Sequence, residues 1–266
     1  MGKGTWSPLH WACRGGHIEI VRLLLERGAN PRGGKDACNT PLHEASIGRG
    51  HLDIAWLLLD KGADPNAKDT NLGYTPIHLA CIGRNLILVR LLLERYADYR
   101  SQRKSLDTPL HEACSLGGHL ELSKLLLSKG ADPRARNNEG DSPLHKACTG
   151  GNVELVRILL QAGADPDAEG KDRRRAIHWA SECGHIDIVQ LLLTRYANPR
   201  AINANGFTPL QEAEKNHHRD IVRLLRMHTN PTPEDKFLIV LNIFKDLVIY
   251  HFLETDAIID LWKHLQ

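Results

Sequence analysis

The residues of this 266-residue chain best equipped for chemistry are its fifteen histidines and six cysteines. A histidine near neutral pH can serve as a general base or a metal ligand, and a thiolate as a nucleophile. Their spacing points elsewhere. His10, His43, His78, His111 and His145 close the tetrapeptides Ser7-Pro8-Leu9-His10, Thr40-Pro41-Leu42-His43, Thr75-Pro76-Ile77-His78, Thr108-Pro109-Leu110-His111 and Ser142-Pro143-Leu144-His145. Two degraded copies follow, Arg175-Ala176-Ile177-His178 and Thr208-Pro209-Leu210-Gln211. A second set, His17, His51, His119, His185 and His218, recurs shortly after these copies. Cys13, Cys81, Cys114 and Cys148 each lie five residues after the motif proline, where Ser46 and Ser181 stand in two other copies. A small residue recurring at one helical position is a packing residue, and a free Cys packs as a small hydrophobe. No Cys-x-x-Cys pair occurs, which argues against zinc. There is no Gly-rich phosphate loop, no G-x-S-x-G and no carboxylate pair outside the repeated pattern. The expectation is a protein that is not an enzyme, with no catalytic residue, metal or cofactor.

The motif prolines, counting Ala176 in the sixth copy, are spaced by 33, 35, 33, 34, 33 and 33 residues. A period of this length marks a stack of helix pairs, none of which can bury its apolar face alone. In the fourth unit, Thr108 suits an N-cap and Pro109 the first helical turn, where its missing N–H costs nothing. Leu110, Ala113 and Cys114 follow at helical spacing, and Gly117-Gly118 ends the short helix. A second helix starts at His119, with Leu122, Leu125 and Leu126 as its buried stripe and Gly130 as its stop. Ala131 to Asp141 then forms an outward loop that returns to the next tetrapeptide.

These stretches, Ser7 to Asn30 and Ser142 to Asp165 among them, closely resemble the ankyrin repeat family. The resemblance implies an all-α solenoid of helix-turn-helix units with β-hairpin-like finger loops and a concave face. It covers an array over 1–228, with repeats at about 4–36, 37–71, 72–104, 105–138, 139–171, 172–204 and 205–228. In this family the motif hydroxyl and histidine bond near the start of the first helix and help to join neighbouring units. Some residues depart from the pattern. Ile47-Gly48-Arg49-Gly50 and Ser115-Leu116-Gly117-Gly118 carry an extra residue in the inter-helix turn. Tyr96 and Tyr196 replace the glycine after the second helix, where positive φ strains a non-glycine residue. Arg175 replaces the hydroxyl of the N-cap. Repeats three and six are therefore expected to be locally softer.

The resemblance also implies a non-enzymatic protein-protein interaction scaffold, contacted at the fingers and along the groove of the first helices. Trp11, Arg14, Glu44, Ile47, Leu79, Ile82, Glu112, Leu116, Lys146 and Trp179 take the exposed positions on those helices. Trp11, Leu79 and Trp179 are either partner anchors or packing residues. The fingers add Arg100, Arg103 and Lys104, then Arg136, then Arg173 and Arg174, a set suited to an acidic or phosphorylated protein segment. A net charge of only +2, with acids interleaved among these bases, argues against nucleic acid. Met1-Gly2-Lys3-Gly4 enters the first repeat without an apolar run, and the cysteines are placed for packing. Both features predict an intracellular, cytoplasmic or nuclear protein.

The pattern changes after His228. In 237–253, thirteen of seventeen residues are apolar, interrupted by Lys245-Asp246, and a short amphipathic stretch with Trp262 follows. A membrane span would need about 20 apolar residues with few charges, so none is predicted here. The segment 229–266 is expected to be a C-terminal helical cap or docking segment. Phe237, Leu241, Phe244, Val248, Phe252 and Trp262 would cover the last repeat, form a homodimer interface or bind an adaptor protein. Repeats followed by a short tail also resemble the ankyrin-plus-SOCS-box arrangement, which implies a substrate-receptor subunit of a ubiquitin ligase. Here, however, Leu238 is followed by Asn242 where that family has Leu then Cys, and no proline follows Pro233.

Overall fold

A computed structural model describes residues 6–34 and 38–231. Helices pair in chain order. The first helices are α1 (Pro8–Gly15), α3 (Pro41–Ser46), α5 (Pro76–Ile82), α7 (Pro109–Cys114), α9 (Pro143–Gly150), α11 (Ala176–Glu182) and α13 (Pro209–Lys215). The second helices are α2 (Ile18–Glu26), α4 (Leu52–Asp60), α6 (Leu86–Glu94), α8 (Leu120–Ser128), α10 (Val153–Gln161), α12 (Ile186–Thr194) and α14 (Arg219–Thr229). Each first helix packs on its own second helix and on the first helix of the next repeat, and the second helices stack likewise. No strand is assigned among the described residues.

The stack is sealed by residues equivalent from repeat to repeat. Leu42, Ile77, Leu110, Leu144 and Ile177 are fully buried on the first helices, followed by Ala45, Ala80, Ala113, Ala147 and Ala180. Ile54, Leu88, Leu122, Leu155 and Ile188 fill the same layer from the second helices. Cys13, Cys81, Cys114 and Cys148 are buried, as packing requires. Burial raises their thiols, to about 12 at Cys13 and Cys114, so these groups are not thiolates.

The motif histidines act as staples between repeats. In the second repeat, His43 Nδ1 accepts from the Thr40 amide (3.1 Å) and contacts the Thr40 hydroxyl (2.8 Å), while Nε2 lies 2.9 Å from the Tyr74 carbonyl of the next repeat. A carbonyl can only accept, so Nε2 carries the proton and Nδ1 offers its lone pair to both donors. His10, His78 and His111 repeat the arrangement onto Asn39, Asp107 and Asp141 of the next repeats, whereas His145 and His178 meet the carbonyls of Ala168 and Ala201 in their own repeats, all at 3.0–3.2 Å. Repeat six keeps the bond from its amide, Arg175 N to His178 Nδ1 at 3.1 Å, and lacks only the hydroxyl. Repeat seven substitutes Gln211, whose Oε1 accepts from Thr208 N at 2.8 Å. The second histidine set ties backwards: His51, His185 and His218 reach the carbonyls of Arg14, Thr149 and Glu182.

The departures from the pattern have visible consequences. The extra residue shortens α3 and α7 and is absorbed by paired positive-φ glycines, Gly48 with Gly50 and Gly117 with Gly118. Tyr96 and Tyr196 both adopt φ of 64°, in the place of Gly62 and Gly130. The expectations for Phe237, Leu241, Phe244, Val248, Phe252 and Trp262 concern residues outside those described.

Candidate binding face

The first helices, the turns that follow them and the fingers form one face of the stack, and it carries the residues singled out in the sequence. Five fingers are closed turns: Asp69 N, Arg103 N, Asn137 N, Gly170 N and Asn203 N donate to the carbonyls of Tyr74, Asp107, Asp141, Arg174 and Phe207. Neighbouring fingers are laced by Thr70 N to Cys38 O, Lys104 N to Leu72 O, Asn138 N to Ser105 O and Ala204 N to Asp172 O. Asp69, Asn137 and Asn203 brace the turns by accepting amides of the same loop, the usual role of Asx residues in turns.

The predicted contact residues divide on this frame. Trp11 is 62% exposed, its ring set against Trp6 at 4.6 Å, with the Arg14 guanidinium 5.2 Å from the Trp6 ring. Ile82 is exposed and Leu79 half-buried. Ile47 and Leu116, the latter 86% exposed, continue the apolar edge from repeat two to repeat four. Glu44 was expected to be exposed and is 1% exposed. It lies under the Arg14 guanidinium (3.5 Å) and accepts from Asn39, and burial raises its carboxyl above the ordinary range.

The basic fingers are less free than their sequence suggests. Arg103 does not stand with Arg100 and Lys104 as one exposed cluster. It turns inward to Asp107 (2.5 Å) and Glu112 (2.8 Å), with its guanidinium 5.1 Å from the Tyr74 ring. Burial raises the half-buried Glu112 carboxyl. Asp107, also pushed up by burial, still ends below its ordinary value because Ser105, Asn137 and Arg103 favour the carboxylate. Lys146 binds Asp141 at 3.0 Å. Arg174 is clamped between Glu182 (2.7 Å) and Glu212 (2.8 Å) and lies 4.1 Å over the Trp179 ring. Trp179 is half-buried beneath it, in a packing position.

Of the finger bases singled out in the sequence, Arg100, Lys104, Arg136 and Arg173 are exposed. Arg100 lies over Tyr99 at 5.2 Å, Lys104 donates to the Thr70 carbonyl at 2.7 Å, and Arg136 donates to the carbonyls of Gly140 and Glu169. Arg173 sits 3.8 Å from Glu169. A carbonyl partner leaves the positive charge uncompensated, so Lys104 and Arg136 keep a field that an anion can use. Among the described residues, no group of three or more His, Cys, Asp or Glu is placed to hold a metal ion. No helix among them is long and apolar enough to cross a membrane.

An all-helical stack of paired units, laced through fingers and presenting a face rather than an enclosed cleft, is a repeat-scaffold protein. The sequence matches the family model described as ankyrin repeats over 2–69, 68–137, 118–202 and 167–235. The chain belongs to the ankyrin repeat family. Its fold is similar to the crystal structure of the human ASB11 ankyrin repeat domain, with 30% sequence identity and a TM-score of 0.72. The likeness covers 83% of this chain and 98% of that one. No curated protein matches the sequence.

Proposed function

We propose that this chain is a non-catalytic scaffold that binds one partner protein along the first-helix face of repeats one to four. The observation that carries this reading is the row of exposed apolar side chains Trp11, Ile47, Ile82 and Leu116 on that face. Large apolar groups left in water at successive repeats are what an interface core requires. The exposed bases Arg100 and Lys104 lie on the finger between repeats three and four and suit an acidic or phosphorylated segment of the same partner. A photo-crosslinking residue at 116 should capture the partner, whereas the same residue at 124 on α8 should not. Equal capture at both positions would overturn the reading.

The segment 229–266 is assigned to covering the last repeat. Leu210, Val222 and Met227 line an open groove on α13 and α14 together with charged residues such as Glu214, Arg219 and Arg223, beside the place where that segment begins. A second reading makes the chain a ubiquitin-ligase substrate receptor, with 229–266 recruiting the ligase core. Support for it comes from the order of repeats and apolar tail; the likeness to the ASB11 ankyrin repeat domain concerns the repeats alone. Co-purification of a ligase adaptor that is lost on deleting 229–266 would establish the second reading. A truncated chain that turns insoluble, with no adaptor bound to the full one, would favour the cap.

A further inference from the structure

The second helices carry a charge pattern of their own. Their second residue is acidic in six repeats: Glu19, Asp53, Glu121, Glu154, Asp187 and Asp220. The exception is Ile87. Their fifth residue is basic in five repeats, Arg22, Arg90, Lys124, Arg157 and Arg223, polar in the sixth, Gln190, and apolar only at Trp56. These positions are one helical turn apart on the solvent side, and two of the four repeats that keep both charges form an ion pair there. Lys124 lies 2.8 Å from Glu121 and Arg157 lies 3.2 Å from Glu154.

The two apolar exceptions, Ile87 and Trp56, fall in adjacent repeats and meet. Leu52 and Trp56 of α4 and Ile87 of α6 line one groove with Asp53, Arg90 and Glu94. Trp56 is 48% and Ile87 63% exposed, and Arg95 holds its guanidinium 5.6 Å from the Trp56 ring. Each replacement also removes one half of the charge pair. Asp53 has no cation at 56 and Arg90 has no anion at 87; neither makes a salt bridge to a described residue within 4.0 Å, although Arg90 acts through space on Glu121 of α8.

We propose that this outer face of repeats two and three docks a second copy of the chain in a two-fold contact. The helices α4 and α6 stack side by side in the same register. Asp53, Trp56, Ile87 and Arg90 therefore sit at four corners, with the apolar pair on one diagonal and the charged pair on the other. A two-fold axis lying in the contact plane along the Trp56–Ile87 diagonal lays the apolar side chains of the two copies together. The same rotation exchanges the other corners, so that Asp53 of each copy meets Arg90 of the other. Asp53 and Arg90 compensate one another twice, and the patch is complementary to itself. The contact is small, below the roughly 1,200 Å² of standard interfaces, so the dimer is weak and depends on concentration.

Sedimentation velocity of the full chain over a range of concentrations tests this. The wild-type chain should show a weight-average coefficient that rises towards a dimer. Trp56→Arg with Ile87→Glu restores the chain's own pattern on exposed positions. It should leave thermal melting unchanged or raised while weakening self-association at least about 10-fold. Asp53→Arg alone and Arg90→Asp alone should each weaken it, and the two together should restore it to within about 3-fold of wild type. A chain monomeric at every concentration would overturn the proposal, as would self-association indifferent to Trp56→Arg with Ile87→Glu. Failure of the charge exchange to rescue would refute the two-fold geometry.

Discussion

Acid should loosen the array through its staples, and by an amount the structure sets. His78 and His178 are lowered from the ordinary 6.5 to about 4, first by burial and then, in part, by nearby positive charge: Arg103 and Lys68 at His78, Arg174 and Arg175 at His178. Protonating either ring at Nδ1 would also destroy the acceptor for the backbone amide at 75 or 175. The folded-state pKa is below the unfolded one, so the unfolded chain binds more protons between pH 6.5 and 4. Stability from these groups is full above pH 6.5 and is lost as the pH falls towards 4. Between pH 7 and pH 5, each ring should cost about 2 kcal/mol, or about 4 kcal/mol for the pair. His43, His111 and His145 are lowered in the same direction. Glu44 and Glu112, raised by burial, act oppositely, because protonating them favours the folded state as the pH falls. A histidine replacement isolates the effect from this background. Gln211 already takes the amide bond in repeat seven, so His78→Gln should fold and remove about 2 kcal/mol of the pH 7-to-5 difference in urea unfolding. An unchanged difference would refute the reasoning, as would imidazole resonances of His78 that titrate near 6.5 in the folded chain.

Further outcomes follow from the same contacts. Tyr96 and Tyr196 are 88% and 79% exposed at positive φ, so Tyr→Gly at either should stabilise the chain by about 1 kcal/mol in urea unfolding. Amide exchange should also show repeats three and six opening before repeat five. Cys183 is exposed and should react with a thiol reagent in the native chain, whereas Cys13, Cys81, Cys114 and Cys148 should react only on unfolding, as mass spectrometry of labelled protein would show. Arg103→Glu should cost about 3 kcal/mol or more, because it leaves Asp107 and Glu112 facing a like charge in a half-buried site. Arg100→Glu with Lys104→Glu should leave melting unchanged and weaken only an acidic partner.

The stack was legible because it repeats. A leucine, alanine, cysteine or histidine that returns every 33 or so residues answers the same packing or hydrogen-bonding demand each time, and one unit read as physics yields the rest. The staples and the strained tyrosines were readable for that reason. Charge on the fingers was not. Arg174 is neutralised by Glu212, 38 positions away, and Arg103 by Glu112, nine away in the next unit. Nothing in a local run of bases shows which of them turn inward. Glu44 lies at a position held by Trp11, Glu112, Lys146 and Trp179 elsewhere, and its burial depends on Asn39 and Arg14 closing over it. The pair Trp56 and Ile87 carried a signal that a search for first-helix anchors passes over. Both break the chain's own acid-then-base pattern on the second helices.

The central claim is that partner binding belongs to the first-helix face of repeats one to four. Hydrogen–deuterium exchange of the full chain, with and without a captured partner, tests it most directly. The account predicts new protection in α1, α3, α5 and α7, in the turns at Ile47 and Leu116, and in the finger at Arg100 to Lys104, with α8, α10 and α12 unchanged. Protection confined to the second helices, or to repeats five to seven, would contradict it.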